Sequence, residues 1–85
     1  MKKRIGVIAI VVEERDKVSN QLNDMISEFG NIVLGRMGVP SREHGLSVIS
    51  LIVEGTSDDI GALTGKLGNL PGITVKSALT SRYLD

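Results

Sequence analysis

Hydrophobic positions along the chain follow two alternating periods. The run Ile5-Gly6-Val7-Ile8-Ala9-Ile10-Val11-Val12 is apolar throughout and rich in β-branched residues, which predicts a strand with apolar side chains on both faces. From Arg15 to Phe29 the period changes. Val18, Leu22, Met25, Ile26 and Phe29 fall at i, i+4, i+7, i+8 and i+11, one stripe of an α-helix. Asp16 stands where an N-cap belongs, and Gly30 follows the last apolar residue, where helix C-termini favour glycine. Asn31 to Val39 reads as a second strand. Gly35 and Gly38 interrupt it and Pro40 ends it, which marks an edge strand with a bulge. Pro40 to Gly45 is a turn, so this strand forms a hairpin with the third, Leu46 to Val53, again apolar on both faces.

Thr56-Ser57-Asp58-Asp59 opens a second helix. A hydroxyl three residues before a carboxylate resembles a capping box, and early acids suit the positive end of the helix dipole. Ile60, Leu63, Leu67 and Leu70 form its apolar stripe, and Pro71-Gly72 stops it. Ile73 to Leu79 is a mixed fourth strand, followed by a polar tail from Thr80 to Asp85. The order βαββαβ over residues 1–85 predicts one α+β domain. This is the ferredoxin-like sandwich, a four-stranded antiparallel sheet with two helices on one face. That topology puts strands one and three in the centre, and they are the two most continuously apolar.

The same pattern leaves a face over. On the first strand Ile5, Val7, Ala9 and Val11 share one side while Gly6, Ile8, Ile10 and Val12 share the other; on the third, Leu46, Val48, Ser50 and Ile52 oppose Ser47, Ile49, Leu51 and Val53. Neither side is polar, whereas an antiparallel sheet with one wet face alternates. Two helices cover one side, so the other predicts a partner surface. A second copy of the chain is the expected partner, in a dimer or tetramer. The pattern alone does not decide which side lies under the helices; Ile8, Ile10, Val12, Ile49, Leu51 and Val53 are assigned here to the interface.

Composition narrows the chemistry. In 85 residues, ten basic side chains balance ten acidic ones, which argues against direct nucleic-acid binding by a basic patch. The absence of cysteine removes disulfides, thiolate catalysis and thiolate metal sites. With Phe29 and Tyr83 the only aromatics, there is no base-stacking platform. The apolar run after Lys2-Lys3-Arg4 is too short for a leader or a membrane span, and Glu13-Glu14-Arg15-Asp16 follows at once. A cytoplasmic protein is expected.

Candidate sites are few. Gly61, Gly65 and Gly68 lie within a narrow arc of the second helix, where each glycine costs about 1 kcal/mol relative to alanine. Close packing of another helix, or of a ligand against the backbone, would account for them. Gly61 to Lys66 looks faintly like a phosphate loop but is one residue short and sits inside a helix. Arg36 and Arg42 on the hairpin, with Lys66, could receive an anion; arginine in an edge strand also discourages unwanted strand pairing. His44 is a single imidazole in a polar turn, and Glu13, Glu14 and Asp16 cluster at a helix entrance without a histidine or lysine placed beside them. No metal, cofactor or catalytic set is expected.

Four segments carry a family resemblance: Arg36 to Arg42, Leu46 to Gly55, Ile60 to Gly68 and Leu70 to Lys76, with Ala62-Leu63-Thr64-Gly65-Lys66-Leu67-Gly68 the most specific. Together they resemble the iron-only hydrogenase system regulators, short proteins with an ACT-like fold similar to the C-terminal sensor domain of the nickel-responsive repressor. The resemblance implies a regulatory, non-enzymatic role near the assembly or expression of that hydrogenase. It does not transfer a nickel site, which needs several histidines and a cysteine. Nor does it transfer the glycine-rich turn of amino-acid-binding ACT modules, because Glu13 to Asp16 stands in its place. The expected module is an oligomer holding a small ligand at a subunit interface near Arg36, Arg42, Gly61, Gly65 and Lys66. The alternatives are a ligand-free assembly factor docking on a hydrogenase-maturation enzyme or transcription factor and, last, a small ferredoxin-like enzyme.

Overall fold

The computed structural model describes residues 2–13 and 18–84. Six elements follow in the order β1 (Lys3–Glu13), α1 (Ser19–Glu28), β2 (Val33–Ser41), β3 (Leu46–Gly55), α2 (Ser57–Gly68) and β4 (Ile73–Leu84). The strands make one antiparallel sheet in the order β2-β3-β1-β4. The two strands that are apolar on both sides therefore occupy the centre, and those broken by glycine or charge occupy the edges.

Each element follows from local chemistry. Thr56 caps α2, its Oγ1 accepting from the Asp59 N–H at 3.0 Å, and Asp58 and Asp59 place negative charge on the first turn. The helix ends before Pro71-Gly72, where Gly72 takes φ 72°, a left-handed conformation that glycine adopts without a steric penalty. From that turn the Gly72 carbonyl accepts from the Glu13 N–H at 3.0 Å, which fixes where β4 joins β1. The N-cap position of α1 is Val18, with no side-chain cap bond; Asp16, the expected cap, lies outside the described residues. The bulge expected in the edge strand falls between Val33 and Gly35.

Two boundaries differ from the sequence reading. β2 runs through Pro40 to Ser41, because an edge strand tolerates a residue without an N–H more readily than a central one. The segment from Thr80 is also no free tail. After an irregularity opposite Arg4 and Gly6, β4 continues beside β1 to Leu84. Arg4 holds it there, donating to the Thr80 carbonyl from Nε at 3.0 Å and Nη2 at 2.7 Å, while Thr80 Oγ1 donates to the Ile5 carbonyl at 2.9 Å. Its end pairs with the start of β1, Tyr83 with Arg4 and Leu84 with Lys3.

The core lies between the sheet and the helices. Ile8, Ile10, Val12, Ile49, Leu51 and Val53 are buried with Leu22 and Ile26 of α1 and Ile60, Leu63 and Leu67 of α2. Assigning those six strand residues to an interface is thereby corrected. They point under the helices and are used up inside the protomer, and the uncovered face is the opposite one. A close approach adds a constraint. A Cβ on Gly6 would sit 2.5 Å from Leu79 Cδ2 and 2.8 Å from the Ala78 carbonyl oxygen, so β4 packs this near to β1 only against glycine. Gly61, on the exposed side of α2, would place its Cβ in open space. Gly6→Ala is expected to destabilise the fold by ~1–3 kcal/mol, and Gly61→Ala to stabilise it by ~0.5–1 kcal/mol. Urea unfolding of the two variants checks both signs; a destabilising Gly61→Ala would mean that something packs against that surface in solution.

Candidate functional site

Strand alternation and the pairing register define the open face. Val7, Ala9 and Val11 of β1 stand beside Ile52, Ser50 and Val48 of β3. Gly35, Met37 and Val39 of β2 continue the rows on one side, and Thr74, Lys76 and Ala78 of β4 on the other. Among the described residues no helix lies over them. Val7 is 42% exposed, Val48 44%, Ile52 48% and Met37 69%. Isolated exposed apolar side chains are ordinary; these are contiguous across three strands, and such patches mark interaction sites. Of the residues in these rows, Lys76 alone carries a charge.

On the helix side, a cleft of about 330 Å³ opens between the start of α1 and the strands, lined by Val12, Ser19, Leu22, Asn23, Arg36, Ser47 and Ile49. Arg36 shares its side of the sheet with Leu51 and donates from Nη2 to Asn23 Oδ1 at 3.1 Å, which steers the guanidinium toward α1. The cleft thus combines an apolar floor with an arginine, an amide and two hydroxyls. Its exposed lining is mostly polar, so it lacks the largely apolar walls usual in small-ligand cavities and offers instead convergent polar groups that fix orientation.

The residues expected to bind a ligand do not all gather there. Arg36 lines the cleft. Arg42 lies in the short turn Arg42–His44 beyond the end of β2, six residues along and ~20 Å away at the rise of a strand. Lys66 reaches the C-terminal end of α1 instead, with Nζ 3.8 Å from Glu28 Oε2 and 5.4 Å from the centre of the Phe29 ring. Gly61 and Gly65 are exposed, and a Cβ on either would meet nothing within 4 Å; Gly68 alone of the stripe meets the sheet, at Val75. His44 Nδ1 lies 3.1 Å from Ser41 Oγ in the exposed turn. Among the described residues no three histidine, cysteine, aspartate or glutamate side chains group as metal ligands. Glu14 and Asp16 of the acidic cluster fall outside the described residues. The open-face residues, absent from the sequence assignment, were partly signalled by size: mid-strand, the covered rows carry Ile8, Ile10, Ile49 and Leu51 where the open rows carry Val7, Ala9, Val48 and Ser50, although Ile52 is also on the open side.

Comparison with known proteins places the fold. The uncharacterized protein TM1266 from Thermotoga maritima superposes with a TM-score of 0.87 at 40% identity, over 91% of this chain and 96% of that one. The ACT domain from GTP pyrophosphokinase of Chlorobium tepidum follows at 0.76 and 23% identity, over 89% and 99%. The C-terminal domain of the MgtC protein from Mycobacterium tuberculosis gives 0.71 and 11%, over 95% and 92%. The last two show the fold alone, which is ACT-like as the sequence pattern and resemblance predicted. No curated protein matches the chain in sequence. Residues 4–77, from the start of β1 into β4, match the profile of the TM1266-like family, described as "Iron-only hydrogenase system regulator, putative", and the chain belongs to that family.

Proposed function

We propose that the working unit of this regulator is a homo-oligomer built by packing the open sheet faces of two copies together. In this reading the protein is a non-enzymatic module that responds to a small anionic ligand. The observation that carries the proposal is the contiguous apolar surface of Val7, Met37, Val39, Val48 and Ile52, left bare by both helices and by the end of β4. Four strands spaced ~4.8 Å apart and about ten residues long present roughly 600 Å². Two such faces together bring on the order of 1,200 Å² into contact, where stable interfaces begin. A second copy fits better than a charged partner. The chain's net charge is zero, so copies carry no net repulsion, and Glu54 stands on the same side of the sheet as Lys76 by register. The self-complementary pairing of a two-fold interface can therefore match carboxylate to ammonium at its rim.

The cleft beside α1 supports the ligand half of the reading. Its volume suits a small metabolite, and Arg36 presents a fork that recognises carboxylate or phosphate. Lys66, Arg42, Gly61 and Gly65 are not brought to it, so the ligand set reduces to Arg36 with Asn23, Ser19 and Ser47. Binding regulates only if the ligand has different affinities for two subunit arrangements. The cleft lies at the end of β1 and the start of β3, strands that also form the open face, so ordering there reaches the interface through the same backbone.

Light scattering at micromolar concentration is expected to give at least twice the protomer mass. Ile52→Lys is expected to raise the dissociation constant by ~100-fold or more, because each interface then buries charges without partners, while circular dichroism stays that of the folded chain. A monomeric mass for the unaltered protein contradicts the oligomer. For the ligand, thermal shift across amino acids, other small carboxylates and nucleotides is expected to find one compound that stabilises by ~1.4 kcal/mol at ten times its Kd, about 5–10 °C for a domain this size. Arg36→Ala should abolish that shift. No stabilising compound among them would remove the ligand from the reading and leave a ligand-free assembly factor.

A further inference from the structure

We infer that Met37 is an oxidation site, at which a peroxide loosens the assembly by converting the thioether into a sulfoxide; this rests on the face-to-face reading above. Met37 is the most exposed of the large apolar side chains on the open face, at 69%. It stands opposite Ser50 in the β2–β3 register and helps wall a shallow, mainly apolar depression of about 270 Å³ with Gly35, Ser50 and Ile52. Because β2 is an edge strand, Met37 lies at the rim of the face. In the separated protomer the Met37 thioether is open to a small oxidant, whereas Met25 is packed against the core. The chain has no cysteine to compete for the oxidant. In the reaction the sulfur lone pair attacks one oxygen of hydrogen peroxide and the O–O bond breaks. Sulfur is oxidised by two electrons to S=O, and the other oxygen leaves as water after proton transfer. The product is polar and chiral where the thioether was apolar and flexible, the change that disrupts methionine-rich interfaces, and it is reversible by sulfoxide reductases. At this position the S=O group would face a partner's apolar side chains, with too few hydrogen-bond donors to meet it.

The test uses the full chain treated with dilute hydrogen peroxide. Intact-mass and peptide mass spectrometry locate the added oxygen, and light scattering over a dilution series gives the dissociation constant. Oxidation at Met37 is expected to raise that constant about tenfold, and treatment with a sulfoxide reductase to restore it. Met37→Leu, whatever its starting dissociation constant, should show no change in that constant on peroxide treatment, while Met25→Leu should respond like the unaltered chain. The inference is overturned if protein oxidised at Met37 keeps its dissociation constant, or if Met37→Leu loosens as much as the unaltered chain. An untreated protein that is already monomeric overturns the parent reading and this inference with it.

Discussion

Two helices of ten and twelve residues lie against a four-stranded sheet whose central strands carry apolar side chains on both sides, and that mismatch governs the molecule. Helix can cover one side only. On that side Ile8, Ile10, Leu51 and Val53 meet Leu22, Ile26, Ile60, Leu63 and Leu67 and exclude water. On the other, Val7, Val48 and Ile52 are nearly half exposed. A chain of 85 residues has a small core for its surface. An apolar face left in water forgoes stabilisation of ~25 cal/mol for each Å² it could bury. Under the proposed pairing, a second such face would recover it.

The same constraint explains the parts of the fold that look irregular. β2 and β4 are edge strands, and each carries features that suit an edge: the shift at Val33–Gly35, Pro40 within β2, and the irregularity in β4 opposite Arg4 and Gly6. These features discourage growth of the sheet sideways. The stretch of β4 from Thr80 pairs with the start of β1 and bonds through Thr80 to Arg4 and Ile5, and Val7, Val48 and Ile52 stay exposed.

Much of this was legible in the sequence. Element order, the central placement of β1 and β3, both helix stripes and the Thr56 cap all follow from local periodicity and turn chemistry, which act between near neighbours. The existence of an uncovered apolar face was legible for the same reason. Its identity was not, because both rows of β1 and β3 are apolar, and the chain's path through space, not its local pattern, decides which row lies beneath the helices. The heavier Ile and Leu at the middle of the covered rows were the partial signal available, since a core gains most from its largest side chains. The ligand set was the least legible part. Arg36 meets Asn23 across an element boundary, and Lys66 turns to Glu28 and Phe29. Residues grouped by charge and proximity in a hairpin and a helix are separated once α1 comes between them.

The most direct test of the central claim is methyl-resolved NMR of the full chain with a soluble paramagnetic agent, read at high and at low protein concentration. If the open faces pack together, the Val7, Val48 and Ile52 methyls are shielded at high concentration to the degree of Ile10 and Leu51, and become exposed on dilution. If those methyls relax as strongly as free surface groups at every concentration, the face is simply solvated and the copies do not pack through it.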